Sequence, residues 1–153
     1  MSAAEEPTPS LYERDFHAWT IEQAALLARG ELAHADLPNL IEEIESIGKQ
    51  QQAELTNRLA VLLAHLLKWQ HQPALRAASG RSGRLTVKEQ RQQIARHMRK
   101  NPSLQAYVPE AILDAYADAV VIAARESGLA EDVFPERCPV FFEQAMRNDW
   151  MPE

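Results

Sequence analysis

Placed on a helical wheel, Leu37, Leu40, Ile41, Ile44, Leu55, Leu59, Leu62 and Leu66 fall within roughly a 100° arc, with Ile47 and Trp69 at its edge. Asp36 stands before this run as a natural N-cap, and Pro38 occupies the first turn, where a missing N–H leaves nothing unpaired. Gln72-Pro73 closes the run. The pattern predicts one long helix over about 37–72, whose apolar arc forms the main core. Gly48 costs about 1 kcal/mol relative to alanine inside a helix, so a bend or a closely crossing neighbour is expected there.

Shorter patterns flank it. Residues 1–11 are polar and contain prolines, which predicts a flexible tail ahead of a single helical domain over 12–150. Tyr12, Phe16 and Trp19 repeat at helical spacing and are expected to anchor a helix on the core. Thr20-Ile21-Glu22-Gln23 and Thr86-Val87-Lys88-Glu89 have the spacing of capping boxes, and Gly30 is a natural stop. Residues 74–84, with Ser79-Gly80-Arg81-Ser82-Gly83, predict a flexible connection. Val87, Arg91, Ile94 and Met98 give the next helix a thin apolar edge, ending before Asn101-Pro102. Ile112, Tyr116, Ala119, Val120 and Ala123 stripe a helix that Gly128 ends, and Phe134 to Pro139 leads into a short helix carrying Phe141, Phe142 and Met146. No strand alternation of any length occurs. The class is all-α: a bundle around one long helix, with short connections and mostly antiparallel packing.

Composition changes the picture in two places. The net charge of −6 is unevenly spread. Residues 1–75 hold 5 Lys/Arg against 11 Asp/Glu, residues 76–100 hold 8 against 1, and residues 101–153 hold 3 against 10. A basic segment between two acidic ones suits helices packing side by side, or a surface for an anionic partner. A lone cysteine, Cys138, cannot form an internal disulfide, and no run of 18 apolar residues or signal-like start is present. The cytoplasm is the expected compartment, with no membrane association.

Candidate chemistry is sparse. Glu43, Glu54, Arg58, His65 and Gln72 fall along one border of the apolar arc, with Trp69 at its edge and Lys68 just outside, a polar seam that could line a cleft. The same seam also suits a structural rim, in which His65 is buried and hydrogen-bonded, and that reading is preferred. Glu31-Leu32-Ala33-His34 alone has the Glu-x-x-His spacing of a bundle metal site, and it lies in a connection, while Glu42 and Glu45 point away from the arc. No phosphate-cradling glycine loop or zinc-ligand spacing appears, so neither cofactor nor metal is expected. Cys138 at a helix start would have a lowered thiol pKa, although a small buried hydrophobe is the simpler role. Arg84, Lys88, Arg91, Arg96 and Arg99 are the candidate anion-binding residues, and aromatics to stack a base are absent between Trp69 and Tyr107.

LPNLIEEIESIGKQQQAEL, LLAHLLKWQHQP, VKEQRQQIA, NPSL and FPERCP resemble the bacterial family catalogued as domain of unknown function 29, over about Leu11 to Trp150. The resemblance implies a helical bundle in a bacterial protein, and it carries no activity, cofactor or catalytic residue. The expected function is a small cytoplasmic interaction or regulatory module rather than an enzyme. Its partner is expected to be a protein, a second copy of the chain included. A nucleic-acid-associated protein using segment 76–100 is the second reading, and an enzyme using the His65 seam is the third.

Overall fold

A computed structural model describes residues 7–153, so most of the expected 1–11 tail lies outside the described residues. Those residues form six α-helices and no strand: α1 (Leu11–Arg14), α2 (Phe16–Ala28), α3 (Leu37–His71), α4 (Pro73–Lys100), α5 (Val108–Ser127) and α6 (Phe142–Ala145). Single 3-10 segments occupy Leu32–His34, Pro102–Tyr107 and Glu131–Val133. The architecture is an all-α bundle around one long helix. Two compact units are present, one ending at Gly48 and one spanning Lys49–Glu153, and α3 runs through both.

The first unit is organised by caps and aromatic rings. Ser10 and Glu13 form a reciprocal capping box on α1, and Asp15 caps α2 by accepting from Ala18 N–H at 2.9 Å. The box expected at Thr20 is therefore absent: Thr20 lies inside α2 and donates its hydroxyl to the His17 carbonyl at 2.8 Å. Asp15 displaces it by capping five residues earlier, which puts Phe16 and Trp19 on α2 and leaves Tyr12 on α1, across the non-helical Asp15. Those rings contact one another with centroids 4.9 to 5.6 Å apart. Trp19 is buried, and its indole donates to Asp36 at 3.0 Å. Asp36 starts α3, its carbonyl accepting Leu40 N–H, while the Asn39 amide foremost, with the Trp19 indole, holds its carboxyl below the ordinary range. Gly30, at φ 72°, supplies the left-handed residue that ends α2.

Gly48 neither breaks α3 nor meets a neighbour within 4 Å. The larger departure concerns the arc itself. Leu37, Ile41, Ile44 and Ile47 are 42%, 55%, 65% and 56% exposed, so the N-terminal part of the arc is not core. Wheel position alone does not say what covers a face: in the first unit the fully buried residues are Trp19 and Gln23, both on α2, and of this part of the arc Leu40 alone is half-buried.

In the second unit the same helix is buried over more than half of its circumference. Leu55, Leu59, Leu62, Leu63, Leu66 and Leu67 are buried, as are Ala60 and Ala64. α4 runs antiparallel to α3, since Arg58 meets Gln93 while Trp69, further along α3, meets Gly83 and Gly80, earlier on α4. Gln72 alone joins the two helices, in a non-helical conformation suited to the residue before proline. The connection expected over 74–84 is therefore helical. Pro73 begins the helix and Ala74 to Ala78 are good helix formers. A Cβ at Gly83 would lie 3.2 Å from the Trp69 ring and one at Gly80 3.6 Å, so these glycines admit the indole rather than loosen the chain. Only Ser79 leaves helical geometry, at φ −142° and ψ 30°, and its hydroxyl donates to the Leu75 carbonyl. The box expected at Thr86 is likewise absent, because Thr86 is mid-helix and donates to the Ser82 carbonyl. α5 lays Ala111, Ala115, Tyr116, Ala119 and Ala123 into the core and ends at Gly128, φ 75°.

The division of α3 carries a direct consequence. Leu62→Ala should destabilise the protein by about 2–5 kcal/mol, whereas Ile44→Ala should change stability by under about 0.5 kcal/mol. Denaturant melts at low protein concentration measure both, and equal losses would show that the two halves of α3 are equally buried.

Candidate functional site

The seam residues separate into two clusters, with Glu54 and His65 about 16 Å apart along the axis of α3. At the first, Arg58 bonds Glu54 at 2.9 Å and donates to the Gln93 amide oxygen. His97, from the apolar edge of α4, is buried between them, with Nδ1 3.5 Å from Glu54 Oε2 and Nε2 2.9 Å from the Gln51 carbonyl. Both ring nitrogens thus face oxygen acceptors. Arg58 foremost, then His97, holds the Glu54 carboxyl below its ordinary range against a partial cost of burial. This polar clasp fixes the register of α3 against α4. Sequence reasoning missed His97, although its spacing of three from Ile94 placed it on the buried edge.

At the second cluster, His65, Lys68 and Trp69 line a small hollow of about 60 Å³ with Arg76 and Gly83. Lys68 pairs with Glu126, and the Arg84 guanidinium lies 4.9 Å over the Trp69 ring. His65 is half-buried, and no hydrogen bond to its ring is found among the described residues, contrary to the bonded rim expected. Burial, and then Lys68, holds its imidazole below the ordinary range. The hollow has room for a few waters or a small ion, well short of the 300 Å³ or more typical of small-molecule sites. Gln72 belongs to neither cluster, standing between α3 and α4.

The five candidate cations also divide. Arg84 covers Trp69 and Lys88 is exposed. Arg91 is only 3% exposed: its Nε donates to the Ala145 carbonyl at 2.7 Å and its Nη2 to the Trp150 carbonyl at 2.8 Å. It therefore ties the C-terminal segment to α4. Arg96 and Arg99 lie on the surface beside it and share a groove with it. Cys138 is not at a helix start, because α6 begins at Phe142; burial pushes its thiol up, and it donates to the Val140 carbonyl at 3.2 Å. Among the described residues, no three His, Cys, Asp or Glu side chains converge as a metal would require.

Two apolar surfaces were not legible as surfaces. One is the Leu37–Ile41–Ile44–Ile47 stripe, read as core because wheel position alone does not say what covers a face. The other is a broad groove on α5, where Leu113 is 70% exposed, walled by residues 131–138 with Glu131, Asp132 and Glu136 among them.

The clasp yields a pH prediction. Glu54 ionises below its ordinary value of 4.5 in the folded protein, so its stabilisation is fully present above that value and is lost as pH falls through the lower, folded value. Glu54→Gln should lower the melting temperature at neutral pH, and the gap from the parent protein should shrink in acid. A gap that is constant with pH would remove the carboxylate from the clasp.

Comparison with known proteins gives one match. No curated protein and no solved structure matches the chain. A family model described as "Domain of unknown function DUF29" matches residues 11–151, nearly the full length, and the chain belongs to that family.

Proposed function

We propose that this protein is a small helical interaction module of the bacterial cytoplasm, with regulatory rather than enzymatic work, and that the N-terminal part of α3 is its docking face. The observation that carries this reading is the exposure of Leu37, Ile41, Ile44 and Ile47 along one face of a continuous helix. Large aliphatic side chains repeating at i, i+4, i+7 and i+10 form the kind of stripe an amphipathic partner helix covers. A lone, unpaired cysteine suits a reducing compartment.

Charge narrows the partner. Residues 7–48 carry eight acidic side chains (Glu13, Asp15, Glu22, Glu31, Asp36, Glu42, Glu43 and Glu45) and two basic ones, Arg14 and Arg29. Arg29 is already paired with Glu31, and Glu43 accepts the Tyr12 hydroxyl at 2.6 Å, which pushes that phenol up to about 12. Glu42 and Glu45, which point away from the arc, add to the negative charge of the same helix. The partner that fits is an amphipathic helix with aliphatic residues on one side and lysines or arginines flanking them.

A synthetic amphipathic helix of leucine and lysine, about five turns long, tests this. It should bind with a micromolar Kd, and Ile41→Gln combined with Ile44→Gln should weaken it at least about tenfold while leaving the melting temperature unchanged. Raised salt should also weaken it, and the glutamate counterpart of the peptide should not bind. Binding indifferent to the double substitution would overturn the proposed face.

A further inference from the structure

The groove beside Arg91 has a chemistry that neither the fold nor the docking face uses. Arg91, Arg96 and Arg99 line it together with Gln92 and Asn148, and no carboxylate contributes to the lining. Arg91 and Arg99 are two helical turns apart on one face of α4, and Ala95 between them keeps the floor low. The groove is open to solvent and has a volume of about 410 Å³.

Arg91 is the telling member. A guanidinium has five N–H donors, and those on Nε and Nη2 that reach the Ala145 and Trp150 carbonyls account for two. No acceptor for Nη1 is found among the described residues. Charges buried in proteins are ordinarily paired with an opposite charge, yet no ion pair includes Arg91 among the described residues. The Asp149 carboxylate, whose charge acts on it, is engaged by Arg147 at 3.1 and 3.3 Å. Two neutral carbonyls hold the guanidinium in place and orient it without neutralising it.

We infer that this groove binds a phosphate-class oxyanion, with Arg91 as the fixed fork at its base, Arg96 and Arg99 as the closing cations, and the Gln92 and Asn148 amides as neutral donors. Three guanidinium groups with no carboxylate in the lining suit a doubly charged tetrahedral anion better than a monoanion, and planar forks match its oxygens in pairs. The groove has space for the anion and a small body attached to it.

Inorganic phosphate titrated into the full chain at constant ionic strength tests the inference, followed by calorimetry and by the arginine Nε–H resonances. Saturable binding with a millimolar or tighter Kd is expected, with the Arg91 Nε resonance among those that shift. Arg96→Gln combined with Arg99→Gln should weaken binding at least about tenfold with an unchanged melt, whereas Arg84→Gln combined with Lys88→Gln, on the same helix outside the groove, should not. No saturable effect, or equal weakening by both pairs, would overturn the site. So would a duplex oligonucleotide that binds where inorganic phosphate does not, since the basic helix would then be tracking a polyanion rather than holding one group.

Discussion

Everything in the second unit follows from the need to cover more than half of the circumference of one helix. From Leu55 to Leu67, α3 buries six leucines and two alanines spread over an arc of about 200° around its axis. A helix of this kind cannot be stable with one neighbour. At about 25 cal/mol per Å² of apolar surface, a missing cover would expose several leucines at a cost comparable to the whole stability of a domain. α4 covers one side with Val87 and Ile94, α5 another with its alanine stripe and Tyr116, and the C-terminal segment contributes Phe134 and Ala145. Arg91 and the Glu54–His97 clasp do different work from this burial. They bring polar groups into the same interior and thereby specify which residues face one another.

How much of this could be read from the chain depends on whether the signal is local. The ends of α3 were legible, because Asp36 and Pro73 act on their own backbone, and so were Gly30 and Gly128, whose left-handed φ angles are local requirements. Segment 74–84 was misread because serines and glycines usually mark loops. The reason for Gly80 and Gly83 is an indole eleven and fourteen residues away, which no local pattern reveals. The threonine boxes failed for a similar reason: Ser10 and Asp15 lie upstream of Thr20, and α4 had already begun before Thr86. Of the polar seam, helical periodicity identified the correct face but not its division. Glu54 and Arg58 are completed by His97 and Gln93, and His65, Lys68 and Trp69 by Arg76, Gly83 and Glu126, all from other helices.

The two surfaces proposed for function sit where burial logic is suspended. The aliphatic stripe between Leu37 and Ile47 is apolar surface left in water, and the guanidinium of Arg91 is a buried charge in no ion pair among the described residues. Both run against the tendencies that organise the rest of the molecule. Such departures concentrate where another molecule completes the arrangement. They also differ in kind. The stripe is apolar, belongs to an acidic unit and is suited to a helix, whereas the arginine groove is polar and suited to one anionic group.

The central claim is that a single continuous helix is a buried core element along its second half and an open face along its first. Hydroxyl-radical footprinting of the full chain reads this side chain by side chain. Leu37, Ile41, Ile44 and Ile47 should react nearly as fast as they do in the unfolded chain, while Leu59, Leu62 and Leu66 should be strongly protected. Equal protection of both groups would contradict the account, because it would mean that the first half of α3 is as fully covered as the second.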